Sequence, residues 1–213
     1  MKIIEWHQFL DNGLPIGDNP ASMTVGIFDG VHRGHKALIN RIVSHNLNYV
    51  PVIVTFRQNH KTINNELSTS PQTVGLEGEV SRVQLTMNNR SRDIQSFEER
   101  LVMFEKLGIQ IAVVIDFSEE FKRLPGREFL RLLLDSCNIG FFAAGSDFRC
   151  GYKLDTGAEA IQSFFASRKI PVEIIPQVME GSLSVSSSRI RAALAQGDTA
   201  LAQVMLGGRQ PGF

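Results

Sequence analysis

The chain of 213 residues has little cysteine, no excess of either charge and no long apolar run. Its two cysteines, Cys137 and Cys150, are too few for a disulfide framework and lack metal-ligand spacing, so we expect packed thiols in a reduced protein. The 22 basic and 22 acidic residues cancel, which argues against a broad basic face for nucleic acid. No stretch reaches the ~20 apolar residues of a membrane span, and the first residues lack the apolar core of a signal peptide. We therefore expect a cytoplasmic protein that binds neither nucleic acid nor membrane.

Strand-like and helix-like segments alternate through most of the chain. Short β-branched runs bounded by turn formers predict strands at 22–28, 49–56, 111–117, 139–145 and 170–176. Helical spacing fills the gaps, and a capping box at Ser96 and Glu99 marks the start of one helix. This alternation predicts an α/β fold: a doubly wound, Rossmann-like, mainly parallel sheet with helices on both faces.

The organisation predicted from these segments is a single domain. Residues 1–21 are interpreted as an N-terminal extension and residues 22–208 as the domain itself. Residues 57–92 are polar and break the alternation, which indicates either a lid over a site or a disordered insertion. Residues 117–129 are interpreted as a surface turn that leads into a helix. Four phenylalanines are assigned to the core by their spacing: Phe141, Phe142, Phe164 and Phe165.

The first chemically informative stretch, GIFDGVHRGH, follows the first predicted strand. It matches neither the dinucleotide-binding nor the P-loop glycine pattern. Gly26 and Gly30 nevertheless let the backbone approach a ligand, and a helix from about Gly34 would offer free N–H groups to an anion. His32 and His35 are three residues apart, so on a helical turn both can donate to the same phosphate chain.

The second stretch, VSSSRIRAALAQGD, places three serines before a predicted helix. Ser187 or Ser188 could be an ordinary N-cap, with Gly197 just beyond the helix end. A cap alone does not account for three hydroxyls followed by Arg189 and Arg191. Hydroxyls, free N–H groups and guanidinium at one helix start favour a second phosphate site, and the two helix starts could hold one triphosphate between them.

Together with AGSDFRCG, these motifs resemble the FMN adenylyltransferase (FAD synthetase) module of bacterial bifunctional riboflavin kinase/FAD synthetases. That module belongs to the nucleotidyltransferase superfamily with the H-x-G-H signature, and the resemblance covers residues 22–208. It implies a nucleotidyltransferase fold and transfer of AMP from ATP, with Mg²⁺, to the phosphate of FMN, which yields FAD and pyrophosphate. Because the FMN phosphate is the nucleophile, the protein has to align two anions and stabilise developing charge.

The resemblance also implies roles for individual residues, and it assigns none of them to metal binding. The implied catalytic residues are His32, His35 and Arg191. The implied ATP-binding residues are Gly26, Phe28, Ser187, Ser188 and Arg189. The implied flavin-binding residues are Phe56, Asp147 and Phe148.

Two departures from the family pattern keep alternatives open. The family form T-F-E-P-H-P is replaced by TFRQNHK, with Asn59 at the histidine position and His60 next to it. The chain could therefore be a related nucleotidyltransferase with another phosphorylated acceptor, or a non-catalytic flavin- or nucleotide-binding protein. The chain also stops at LGGRQPGF, where family members continue into a riboflavin kinase module, so we expect no kinase domain and a separate kinase that supplies FMN.

Overall fold

The computed structural model describes residues 1–57 and 93–208, and ten strands lie within them. They are β1 Lys2–Glu5, β2 Ala21–Val25, β3 Val50–Phe56, β4 Ile111–Ile115, β5 Ile139–Gly145, β6 Arg149–Cys150, β7 Thr156–Gly157, β8 Val172–Ile175, β9 Met179–Glu180 and β10 Leu183–Ser184. Six of them form the main sheet in the order β1-β4-β3-β2-β5-β8. The remaining four form two short antiparallel pairs, β6 with β7 and β9 with β10.

Eight α-helices lie in the described part of the chain. They are α1 Trp6–Asn12, α2 Arg33–Ser44, α3 Phe97–Lys106, α4 Glu119–Lys122, α5 Gly126–Ser136, α6 Ala158–Ala166, α7 Ser187–Ala195 and α8 Thr199–Leu206. The predicted capping box starts α3: the Ser96 hydroxyl accepts from the Glu99 N–H at 3.1 Å, and the Glu99 carboxylate accepts from the Ser96 N–H at 2.8 Å.

Every pairing in the main sheet is parallel, which confirms the predicted fold class. All residues of β2 and β4 are buried, because helices cover both faces of the sheet. The chain runs outwards from β2 through β3 to β4, and then returns to the other side of β2 as β5. Strand order thus reverses between β2 and β5, and a ligand crevice is expected at the carboxyl ends of these strands.

The first residues are not separate from this sheet. Lys2–Glu5 pairs in parallel with β4, with Lys2 opposite Ile111, and so provides the edge strand. The Phe9 side chain of α1 is fully buried in the core. Residues 1–21 therefore contribute to the same sheet and core as residues 22–208. Their interpretation as an extension did not include this contribution.

Core side chains lie on both faces of the sheet. The four phenylalanines assigned to the core are buried, which confirms that assignment. Phe142 stacks on Phe165 with ring centroids 4.5 Å apart, on one side of the sheet. In addition to the core on the two faces of the sheet, a smaller hydrophobic cluster joins α7 to α8 through Ile190 and Met205, and Ile94 packs against it. This cluster positions the start of α7 beside the crevice.

Candidate active site

The chain leaves β2 in a tight turn at the carboxyl edge of the sheet. The first strand was predicted to continue to residue 28, but it ends at Val25. Phe28 and Val31 adopt φ angles of +57° and +36°, and Gly30 has a φ of +83°. Left-handed backbone costs a residue with a Cβ roughly 1–2 kcal/mol, so surrounding contacts must hold this turn in place.

The two histidines of the first motif stack on each other at the start of α2. This helix was predicted from about Gly34, but it begins at Arg33 with His32 as its N-cap. The His32 Nδ1 accepts a hydrogen bond from the His35 backbone N–H at 3.4 Å, and the ring centroids lie 3.6 Å apart. Because Nδ1 is the acceptor, the proton of neutral His32 belongs on Nε2, which remains available as a donor.

Both histidines are held neutral when no anion is present. Burial lowers the pKa of His32 to about 4, against the opposing effect of Asp147. Burial also lowers the pKa of His35 well below its usual value, and His32 and the Arg100 guanidinium lower it further. The His35 Nδ1 is buried and has no hydrogen-bond partner among the described residues. The pair is therefore a preformed set of neutral hydrogen-bonding groups, and a bound polyphosphate would favour the protonated forms.

The serine-rich segment forms the start of α7, and the contacts of its serines differ from those predicted from the sequence. Ser186, not Ser187 or Ser188, is the N-cap, and its hydroxyl accepts from the Arg189 N–H at 3.2 Å. The Ser187 hydroxyl donates to the carbonyl of Asp29 at 2.8 Å. That bond directly joins the start of α7 to the turn after β2.

Asp29 joins the same two segments a second time through its side chain. Its carboxylate forms an ion pair with the Arg191 guanidinium and accepts from the Ile94 N–H at 2.9 Å. Asp29 is 4% exposed, and burial raises the pKa of its carboxyl although the Ile94 bond and Arg191 act in the opposite direction. Among the described residues only one guanidinium nitrogen of Arg191 has a partner, the Asp29 carboxylate, so the other N–H groups can donate to an anion.

The two arginines of α7 make different contacts. Arg191 lines the cavity, whereas the Arg189 guanidinium donates to the carbonyls of Glu180 and Leu183 at 3.0 and 2.9 Å. Arg189 thereby braces the β9–β10 hairpin and is not among the cavity-lining residues. Its assignment to the ATP site stays a prediction, and the geometry does not favour it.

A cavity of about 430 Å³ lies at the carboxyl edge of the sheet, within the range of about 300–1,000 Å³ typical of small-molecule sites. Part of its lining comes from the two helix starts and the turn after β2, which together we call the phosphate clamp. The clamp residues that line the cavity are Gly26, Phe28, His32, His35, Ser187, Ser188 and Arg191. Another part, which we call the aromatic end, consists of Phe56, Phe117, Phe121, Phe129 and Phe148.

The predicted flavin residues all reach this cavity. Phe56 lies edge-on to Phe121 with centroids 5.7 Å apart. Asp147 follows β5, lines the cavity next to Phe148, and accepts from the Gln177 amide at 3.0 Å. These side chains come from the ends of β3 and β5, the two parallel strands on either side of β2, which explains why residues far apart in the sequence meet here.

Sequence reasoning missed part of the aromatic end. Residues 117–129 were interpreted as a surface turn, yet Phe117, Phe121 and Phe129 line the cavity. Their position after β4, at the carboxyl edge of a parallel sheet, is the signal that could have found them. Sequence analysis gave Asp29 no role, because its ion pair with Arg191 joins segments that are far apart in the chain.

The site offers few protein ligands for a metal ion. Within residues 1–57 and 93–208 no group of three His, Cys, Asp or Glu side chains could hold one. Of the cavity-lining carboxylates, Asp29 pairs with Arg191 and Asp147 bonds to Gln177.

A search of the described helices for one long and apolar enough to cross a membrane finds none.

The parallel sheet, with two helix starts converging at its carboxyl edge, defines a protein with an α/β nucleotidyltransferase-type fold. The chain belongs to the FAD synthetase family, whose model matches residues 15–189. It is 28% identical over 212 residues to a bifunctional riboflavin kinase/FMN adenylyltransferase of Buchnera aphidicola subsp. Schizaphis graminum, a match covering 97% of this chain and 60% of that protein. It is 27% identical to the Bacillus subtilis protein of the same name, over 90% of this chain and 54% of that protein. The chain thus spans little more than half the length of these relatives.

Solved structures are similar over nearly the whole chain. A macrolide-efflux protein from Streptococcus pneumoniae matches with a TM-score of 0.74 and 25% identity, over 99% of this chain and 63% of that one. A pantoate-beta-alanine ligase from Francisella tularensis, solved with β,γ-ATP and β-alanine, matches with a TM-score of 0.56 and 14% identity. That match covers 97% of this chain and 78% of the ligase, and it bears on the fold alone.

Proposed function

We propose that this chain is an ATP-dependent FMN adenylyltransferase, which transfers AMP from ATP to the phosphate of FMN. The observation that carries the proposal is that one cavity is lined both by the phosphate clamp and by the cluster of phenylalanines. A flavin offers a large aromatic ring system to the phenylalanines, and both substrates bring phosphates to the clamp. Membership of the FAD synthetase family supports this choice of acceptor.

The reaction forms one bond and breaks one. An oxygen of the FMN phosphate attacks the α-phosphorus of ATP, and the bond from that phosphorus to the bridging oxygen breaks, which releases pyrophosphate. No protein nucleophile is required, so the protein contributes alignment and stabilisation of charge. In this proposal the His32 Nε2, His35 and the free N–H groups of Arg191 donate to phosphate oxygens. Mg²⁺ would enter with the triphosphate as part of the substrate, since the cavity offers it few free carboxylates.

The lining of the cavity bears on the identity of the acceptor. The segment in which the chain departs from the family, TFRQNHK, lies outside the described residues beyond Arg57. The aromatic end of the cavity fits an acceptor with a flat ring, and the clamp fits one with a phosphate. We propose the cytoplasm as the location of this reaction.

The test is direct formation of FAD. Purified protein is incubated with ATP, Mg²⁺ and FMN, and the flavins are separated by chromatography; riboflavin, which lacks the attacking phosphate, is the matched acceptor control. We expect FAD and pyrophosphate in equal amounts from FMN and no FAD from riboflavin. If ATP binds but FMN yields no FAD, the assignment of FMN is wrong, and other phosphorylated acceptors are to be screened.

A further inference from the structure

A buried arginine lies behind the turn that follows β2. Arg100, in the first half of α3, is 2% exposed and is the largest fully buried side chain of the described residues. A buried guanidinium is costly unless its N–H groups find acceptors. Sequence analysis gave Arg100 no role, and it does not line the cavity.

The Arg100 guanidinium joins the turn after β2 to the end of β3. One nitrogen donates to the carbonyl of Ile27, in the middle of the GIFDG turn. The other terminal nitrogen donates to the carbonyls of Phe56 and Arg57, each at 3.2 Å. The Thr55 hydroxyl, fully buried in β3, donates to the same Ile27 carbonyl at 3.4 Å. Two buried donors therefore hold one carbonyl of a turn that forms the clamp.

Holding this carbonyl also fixes the next N–H group. The peptide bond between Ile27 and Phe28 is trans and planar, so the Phe28 N–H points away from the Ile27 carbonyl. That direction leads away from Arg100, and Ile27 and Phe28 both line the cavity. Phe28 is also the strained residue of the turn, with φ at +57°, so its conformation depends on contacts from outside the turn.

We propose that Arg100, assisted by Thr55, is a positioning residue: it fixes the 27–28 peptide so that the Phe28 N–H is presented to the nucleotide phosphates. The inference rests on the proposed function, because it assigns the clamp to ATP. It adds a residue that touches neither substrate and acts through one peptide unit. Burial does most to lower the pKa of His35, and the nearby Arg100 charge lowers it further.

Three variants test this role. Arg100→Met removes both sets of hydrogen bonds at similar length, and Arg100→Lys keeps the charge with a less suitable donor. Thr55→Val removes only the second donor to Ile27 and conserves shape. The matched control is Thr24→Val, since Thr24 is equally buried in the adjacent strand and its hydroxyl has no partner among the described residues. ATP and FMN affinities are measured by calorimetry and flavin fluorescence, and kcat by FAD formation.

We expect Arg100→Met to lower kcat by about tenfold or more and to weaken ATP binding about fivefold. FMN binding should weaken less, since Arg100 also holds the carbonyl of Phe56. Thr55→Val should lower kcat about threefold, Arg100→Lys should fall between Arg100→Met and wild type, and Thr24→Val should match wild type. A larger effect on ATP affinity and kcat than on FMN affinity identifies positioning, because a general loss of folding would reduce both affinities together. If Arg100→Met does not fold, the comparison of Thr55→Val with Thr24→Val decides.

The positioning role is wrong if Thr55→Val equals Thr24→Val and Arg100→Lys equals wild type. It is also wrong if ATP and FMN affinities fall in parallel. These outcomes are separate from failure of the proposed function: wild-type protein that binds ATP without forming FAD rejects FMN adenylation, and ATP affinity alone then decides the role of Arg100. Wild-type protein that does not bind ATP rejects both.

Discussion

The start of α2 and the start of α7 face the same cavity with different kinds of donor. The α2 start offers two stacked imidazoles that burial keeps neutral, with His32 used as the helix cap. The α7 start offers a permanent cation, Arg191, which is already paired with the buried carboxylate of Asp29. The α2 start, which we call the neutral half of the clamp, is therefore preorganised by packing. The α7 start, which we call the charged half, is preorganised by an ion pair. A site of this kind can receive a polyanion without leaving a free buried charge when it is empty.

The largest effect should come from the neutral half. We expect His35→Ala to lower kcat by about a hundredfold, because it removes a buried donor aimed at developing charge. His45→Ala is the matched control: His45 lies at the other end of α2, where its ring stacks on Phe141, and its loss should leave kcat unchanged. Turnover is measured as FAD formed under saturating ATP and FMN. Equal kcat for the two variants would remove His35 from the catalytic residues.

The charged half can be tested with two arginines on one helix. Arg191→Ala should lower kcat about as much as His35→Ala, because Arg191 lines the cavity. Arg189→Ala should leave kcat within about threefold of wild type and lower the melting temperature instead, since Arg189 bonds to the β9–β10 carbonyls. Steady-state kinetics and thermal unfolding of both variants make the comparison. A strong kinetic effect of Arg189→Ala with unchanged melting would restore Arg189 to the ATP site.

The ion pair itself predicts an effect on stability. Arg191→Ala leaves the Asp29 carboxylate buried without its cation, which we expect to cost about 2 kcal/mol of unfolding free energy. Adding Asp29→Asn should recover about half of that loss or more, because asparagine keeps the acceptor for the Ile94 N–H without the charge. Urea unfolding of the two single variants and the double variant measures the coupling. Additive losses would show that the two side chains do not depend on each other.

The neutral half predicts a smaller effect, on the dependence of stability on pH. The pKa of His32 is about 4 in the folded protein and about 6.5 when unfolded, so the unfolded state binds the proton first as pH falls. Stability is thus lost below pH 6.5, and this loss levels off near pH 4. Between pH 7 and pH 5 we expect His32 to account for about 2 kcal/mol of it.

The matching variant is His32→Asn, since asparagine can still cap α2 but does not titrate. Its unfolding free energy, measured in urea at pH 7 and pH 5, should fall by about 2 kcal/mol less than that of wild type. Burial of His35 acts in the same direction, so some pH dependence remains in the variant. An unchanged pH dependence would contradict the buried, neutral state of His32.

Much of the fold and of the clamp could be predicted from the sequence, and the two arginines of α7 show what could not. The alternation of strands and helices and both anion-binding helix starts follow from local pattern. Arg189 and Arg191 are two positions apart on a helix, about 200° around its axis, so only one of them can face the cavity. Packing of Ile190 and Met205 between α7 and α8 decided that it is Arg191.

The sequence by itself determined the fold class, the two helix starts and the types of residue available to hold phosphate, because these depend on near neighbours in the chain. Only the tertiary structure decided the pairing of Asp29 with Arg191, the aromatic end built after β4, and the hold of Arg100 on the Ile27 carbonyl. Each of these joins segments dozens of residues apart. The reason is that the carboxyl ends of parallel strands meet at one edge only after the sheet has formed, and burial there then sets which groups are charged.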